Sequence, residues 1–284
     1  MQMKMCLVIS VLLVFGLPFI MTEVVDSFNT CSQFFFNKQP PVIPGILENS
    51  VSQNNNRYKL ICQKYEKAYR FATLYDTTNR IPVFSAYRYT GKGNFPRPKM
   101  KWMTESQLDP PVAEMTVQCL NQAISADYCN NCESIKVNRG HLFPCCHAAD
   151  SKTAESTFTL TNVVPQKISF NAGSWSRMEK ETKEIMDTCK NNNNKVVAYV
   201  LTGAIPGNNK MEEKVNIPSY MWMAFCCYNS MEKAWVSQAY WAPNEEENTK
   251  VIIPKKSLLE LQEFLNEKWG ENVQLFQNYC KPNI

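Results

Sequence analysis

The sequence predicts an α+β fold: a central, mostly antiparallel sheet with flanking helices. Three observations carry that expectation. Runs of β-branched and aromatic residues lie at Ile81 to Tyr89 and Lys195 to Thr202, the composition of a pleated, half-buried surface. Tyr220 to Tyr228 and Ala234 to Trp241 are two further runs, joined by a short polar turn at Asn229-Ser230 in the manner of a hairpin. Ser257-Leu258-Leu259-Glu260 is a capping box. It opens a helix whose apolar face is Leu258, Leu261, Leu265 and Trp269, and Gly270 stops it.

Composition sets the frame for these elements. With 284 residues, 12% of them aromatic and 20% charged, the chain can bury a substantial core and is no candidate for disorder. A net charge of +4 permits a polyanionic partner without arguing for one. Neither an internal repeat nor a linker is evident, so residues 23–284 read as one domain. Ahead of it, Lys4 and the apolar run Met5 to Met21 are too short for a membrane span and suit a secretory signal. Cleavage near Thr22–Glu23 makes residues 1–22 a signal peptide and the mature chain a secreted one. Cys6 leaves with that signal. The remaining cysteines, Cys31, Cys62, Cys119, Cys129, Cys132, Cys145, Cys146, Cys189, Cys226, Cys227 and Cys280, suit an oxidising compartment. They suffice for several disulfides and leave an odd thiol, with a pairing that sequence does not disclose. No Asn-x-Ser/Thr sequon occurs.

Along the chain, Glu23 to Arg57 is a Pro- and Asn-rich lead-in tied down through Cys31. Leu60 to Leu74 carries Leu60, Ile61, Tyr65, Tyr69 and Phe71 at helical spacing and is expected to be the first helix. A turn at Asp76-Thr77-Thr78-Asn79 leads into the strand from Ile81. Gly91 to Trp102 is a loop with four basic residues, Lys92, Arg97, Lys99 and Lys101, and two aromatics, Phe95 and Trp102. It reads either as a solvated loop or as a surface that tracks a phosphate backbone and stacks on bases. Val112 to Ser125 is expected to be an amphipathic helix, and the strand of Lys195 to Thr202 to end in a turn from Gly203 to Gly207.

The chemistry concentrates between Val137 and Glu179, where both histidines lie. In Arg139-Gly140-His141 an Arg can grip a phosphate, a Gly lets backbone approach closely, and an imidazole can take a proton from water near neutral pH. Asn171 precedes a helical segment, Ala172 to about Lys190. Its side-chain oxygen suits either a hard cation such as Mg²⁺ or an ordinary N-cap. Glu179, about two turns further on, returns to the same side; it either serves a cation or pairs with Lys183. Cys129-x-x-Cys132 with Cys145, Cys146 and His147 has spacing that zinc would accept, but in a secreted chain disulfides are the expected use. His147 is expected on the surface.

Three ordered motifs, Arg-Gly-His-Leu-x-Pro from Arg139, Leu-Thr-Asn-x-x-Pro-Gln from Leu160 and Asn-x-Gly-x-Trp-x-x-Met-Glu from Asn171, resemble the DNA/RNA non-specific endonuclease family. Ser85-Ala86-Tyr87-Arg88, Val200-Leu201-Thr202-Gly203 and Ile217-Pro218-Ser219-Tyr220 extend the likeness over about Phe71 to Trp241. The cysteine-rich, signal-bearing form is most similar to the vertebrate endonuclease domain-containing 1 proteins. The resemblance implies a ββα-metal active-site core and Mg²⁺-dependent hydrolysis of DNA and RNA backbones without sequence preference. By position, it implies His141 as general base and Asn171 as sole direct protein ligand of one hydrated Mg²⁺. Glu179 then serves the hydrated ion, Arg139 stabilises phosphate and Asn162 supports the catalytic group. Arg88, Lys183 and Gln166 are implied substrate contacts. The family's first motif usually begins with Asp, and this chain has Asn138. Losing a charge that supports a metal site costs about ten- to a hundred-fold. That departure leaves open a catalytically weak or inactive extracellular module that binds nucleic acid or protein on the same fold. Met178 replaces the usual Leu, a volume-conserving change.

Overall fold

Alternation along the strands decides which layer each side chain joins, and so where the site lies. The computed structural model describes residues 23–109, 121–129, 135–276 and 280. In chain order its strands are β1 (Glu23–Val25), β2 (Leu47–Glu48), β3 (Val51–Ser52), β4 (Tyr58–Tyr65), β5 (Ala68–Asp76), β6 (Ile81–Tyr89), β7 (Val137–His141), β8 (Val163–Lys167), β9 (Ala198–Ile205), β10 (Asn209–Met211), β11 (Val215–Ile217), β12 (Tyr220–Asn229) and β13 (Ala234–Pro243). Seven form one sheet in the order β1-β4-β5-β6-β9-β12-β13, every pair antiparallel. The α+β expectation holds, as does the β12–β13 hairpin.

Successive residues of the central strands enter opposite cores. Tyr87, Tyr89, Val200, Met223, Phe225 and Cys227 pack on one face with Val163, Phe170 and Trp175. Phe84, Ala86, Leu201, Trp222, Ala224 and Cys226 pack on the other with Phe28, Phe36, Leu261 and Leu265. The first face carries the β7–β8 ribbon and the helical segment after it. The second carries the N-terminal lead-in and the helix Leu258–Trp269, which opens with the expected capping box. Adjacent cysteines of β12 thereby staple both layers: Cys226 bonds Cys280 and Cys227 bonds Cys189. Cys31–Cys62 ties the lead-in to β4. Among the described residues Cys145 and Cys146 are free thiols; the side chains of Cys119, Cys129 and Cys132 lie outside them. Also among the described residues, no helix is long and apolar enough to cross a membrane.

The structure corrects three sequence expectations. Leu60 to Leu74 is not a helix but most of the β4–β5 hairpin. Its turn, Glu66-Lys67, has φ of +47° and +67°, the backbone of a tight primed turn, without the Asn-Gly that would announce it. The strand expected to stop at Thr202 continues through Gly203 to Ile205, because Gly203 accommodates the Trp222 ring, which an added Cβ would meet at 2.4 Å. His147 is not on the surface: it is 1% exposed. The helix expected from Val112 falls largely on residues outside those described, as does the signal peptide; residues 121–124 are not helical.

Candidate active site

β7 and β8 form a two-stranded antiparallel ribbon with Asn138 opposite Gln166 and His141 opposite Val163. The chain leaves β8 directly into helix: Ile168–Phe170, a π-helical turn Asn171–Trp175, then Ser176–Met186. The expected start at Ala172 is therefore too late, and Asn171 sits inside the helical run rather than capping it. Gly173, at φ −95° and ψ −112°, breaks the regular ladder. Glu247 fills the space beside it, and its carboxylate accepts from the Ser174 backbone N–H and hydroxyl. A π-helical turn here rotates Asn171 relative to the helix that follows, a distortion frequent at functional sites.

Pleating divides the first motif between two sides of the ribbon. Asn138 and Gly140 share one side with Gln166. An added Cβ at Gly140 would lie 2.0 Å from Gln166 Oε1, so only glycine fits between the strands. Gln166 is fully buried, and neither of its amide atoms has a hydrogen-bond partner among the described residues. On this side Asn171 Nδ2 donates to Asn138 Oδ1 at 2.6 Å. That bond uses one amide N–H of Asn171 and none of the lone pairs of its side-chain oxygen, the donor chemistry a hard divalent cation requires.

Arg139 and His141 emerge on the opposite side. The Arg139 guanidinium lies over the Trp102 ring at 5.2 Å and the Tyr128 ring at 5.0 Å, and donates to the Ser125 carbonyl. His141 packs against Trp102 and Phe158, with ring centroids 5.2 and 5.1 Å away. Burial, with a smaller contribution from the positive charge of Arg97, lowers its pKa to about 3. The imidazole is therefore neutral at physiological pH, the state that accepts a proton. Among the described residues its Nε2 has no hydrogen-bond partner.

Glu179 stands one helical turn beyond Trp175. Burial lifts its carboxyl to about 8, while the Trp175 indole and Arg97 pull the other way. Its backbone is fixed by the second histidine. His147 Nε2 donates to the Glu179 carbonyl at 3.0 Å, which leaves Nδ1 to accept from the Tyr87 hydroxyl at 2.9 Å. His147 is thus a neutral strut, its pKa lowered to about 4 chiefly by burial.

The other sequence candidates separate. Asn162 is fully buried. Its oxygen accepts from Ser85 and the Phe143 N–H, and its amide donates to the Phe143 and Thr157 carbonyls. It pins the chain just beyond His141 and has nothing left to offer a substrate. Lys183 pairs with Asp187 at 2.6 Å, so the expected alternative of an ion pair with Glu179 is not made. Arg88 leaves β6 on the side opposite Tyr87 and lines a separate groove of about 250 Å³ with Phe34, Tyr69 and Arg70; the structure does not gather it with His141.

Arg97 is the residue the sequence reading missed. It acts electrostatically on His141, Glu179 and Cys145 alike. It donates to Cys145 Sγ at 3.2 Å and lies over the Phe158 ring at 5.3 Å. Only its membership of a basic, aromatic loop marked it in the sequence. Among the described residues no three His, Cys, Asp or Glu side chains gather around a common point. The Cys129 and Cys132 side chains of the zinc reading lie outside those residues, and the side-chain oxygen of Asn171 is the kind of donor a hard cation takes.

A sequence profile for DNA/RNA non-specific endonucleases matches residues 51–276. The human endonuclease domain-containing 1 protein is 31% identical over 89% of this chain and 48% of its own length. The nuclease of Serratia marcescens is 27% identical over 55% of each chain. This chain thus spans about half the length of the curated relatives it matches. Among solved structures, a chain of the EndoG/EndoGI complex superposes with a TM-score of 0.55 at 19% identity, covering 72% of this chain and 82% of that one, a likeness of fold.

Proposed function

The chain belongs to the DNA/RNA non-specific endonuclease family, a family of nucleases, and from that premise we propose that it is a secreted, Mg²⁺-dependent endonuclease that hydrolyses DNA and RNA without sequence specificity. The observation that carries the reading is the Asn138–Asn171 hydrogen bond. The amide of Asn138 keeps the accepting oxygen that an aspartate would present, so Asn171 is held with its oxygen free despite the departure from the family motif.

In this reading His141, neutral and unpartnered at Nε2, takes the proton of the water that attacks phosphorus. Arg139 and Arg97 flank it and hold the non-bridging phosphate oxygens by charge-assisted hydrogen bonds. Asn171 would hold the divalent cation, with Glu179 further along the same helical run, its carboxyl raised to about 8 by burial and ionised only by the charge of a cation when one is bound; when bound, the ion supplies positive charge for the transition state and the departing oxygen. Asn162 and His147 keep the base and Glu179 in place from behind. Contacts to phosphate and sugar alone give affinity without sequence preference. The cystine-stapled fold supports an oxidising, extracellular location.

The test is cleavage of supercoiled plasmid and of RNA in Mg²⁺ or EDTA, beside His141→Ala. Loss of the base should lower the rate about 10²- to 10⁴-fold. A wild-type protein with no Mg²⁺-dependent cleavage above that variant overturns the reading and leaves a binding module on a nuclease fold.

A further inference from the structure

A general base must come within hydrogen-bond reach of the water it activates, yet His141 is 9% exposed and its Nε2 is buried without a partner. Two rings cover it. Phe158 is 5% exposed and belongs to the core. Trp102 is half-buried and sits on the segment that crosses the site between β6 and the ribbon.

That segment is a strap held at its ends. At one end Gly93 N–H donates to the Ala148 carbonyl. At the other Met103 N–H donates to the Phe158 carbonyl, and the Leu160 N–H returns to Met103. Among the described residues, 94–102 make no backbone hydrogen bond. Gly93 itself fits tightly against Ala149, whose carbonyl oxygen an added Cβ would meet at 2.2 Å, so that end is a fixed hinge. Between the ends the strap carries Arg97, Lys99 and Lys101, three positive charges within five residues. Its polar latch is the Arg97 contact to Cys145 Sγ, and sulfur is a weak acceptor. The remaining hold is side-chain packing: Trp102 between Arg139 and His141 and against Phe158, Arg97 over the Phe158 ring, and the half-buried Phe95 and Met100 against the core. A bidentate Arg–phosphate bond is stronger than the sulfur latch.

We propose that residues 94–102 form a substrate-displaced cover, in which Trp102 shuts His141 from solvent in the free protein and the phosphates of a nucleic-acid strand draw Arg97, Lys99 and Lys101 outward and uncover the base. Trp102 is then an access-determining residue, and its double contact also sets Arg139 and His141 side by side while the cover is closed. The proposal rests on His141 being the base, but its test does not use cleavage, so the two readings fail separately.

The protein's two histidines make an internal comparison. Diethyl pyrocarbonate modifies neutral, accessible imidazole, and tandem mass spectrometry resolves His141 from His147. In the wild type both should react slowly. Trp102→Ala should raise the His141 rate about tenfold or more, the effect of abolishing a closed state that leaves the open one a minor population, with His147 still protected. An unchanged His141 rate overturns the proposal. If both rates rise, the substitution has loosened the core, and the wild type decides instead. Its amides at 94–102 should exchange at least about a hundredfold faster than those of β9, and protection equal to that of β9 overturns the cover.

Discussion

On the face of the sheet that holds the C-terminal helix, Phe28, Phe84, Trp222, Leu261 and Leu265 belong to one buried core that also contains two of the three described disulfides. On the opposite face the same strands support His141 Nε2 and both amide atoms of Gln166, all buried and, among the described residues, without a hydrogen-bond partner. Each such group costs about 1–3 kcal/mol if it stays unpaired, and a fold carries several of them only when other parts offset the cost. The apolar, cross-linked face does so. The contrast shows how the candidate site can sit among buried polar groups without capping every one. The scaffold face is not free of such groups, since Trp222 Nε1 is also buried without a hydrogen-bond partner among the described residues, but those around the ribbon lie at the candidate site, where solvent, cation and substrate would meet them.

The sharpest way to break this contrast is Trp222→Ala. Removing the largest ring of the scaffold face should cost about 3–5 kcal/mol, read as the loss of unfolding free energy in urea, while the cleavage rate per folded molecule stays near wild type. A rate that fell in step would show that the faces are not independent. A smaller effect is expected from Asn138→Asp, which keeps the oxygen facing Asn171 Nδ2 and adds a charge. Cleavage should rise about ten- to a hundred-fold with little change in melting temperature. If the rate does not move, orientation of Asn171 is all that position supplies.

The smallest effect is the pH dependence of stability in EDTA. His141 and His147 fall from the ordinary 6.5 to about 3 and about 4. Below pH 6.5 the unfolded chain therefore binds protons that the folded one does not, and stability drops as the solution is acidified. Glu179 rises from 4.5 to about 8; the folded chain keeps its proton across that window, so stability drops as pH climbs toward 8. Two groups outweigh one on the acid side, which places the maximum near the histidine value of 6.5. A thermal-melt series with its maximum above pH 8 would contradict the burial of these groups.

Much of the site was legible because its motifs are local. Arg139-Gly140-His141 pairs with Val163-Val164-Pro165 in a ribbon whose second strand runs straight into the helical run bearing Asn171 and Glu179, so spacing along the chain brought the three motifs together. The capping box at Ser257 and the β12–β13 hairpin were legible for the same reason, since each depends on neighbours a few residues away. What the sequence left undecided depends on distant contacts. Leu60 to Leu74 is buried on both faces of a central hairpin, which erases the two-residue alternation of a strand, and its Glu66-Lys67 turn lacks glycine. His147 was expected in solvent because nothing nearby in sequence anticipates Tyr87 and the Glu179 carbonyl as its partners. Arg97 joined the site, and Arg88 left it, through the path of the strap and the pleat of β6. The chain alone determined its family, the C-terminal capping box and the strands β6, β9, β12 and β13, because those are written in short-range patterns. Tertiary packing alone decided which cysteines pair and that both histidines are buried, His147 between Tyr87 and the Glu179 carbonyl and His141 against Trp102 and Phe158, because those outcomes follow from burial and partners that meet only once the sheet has formed.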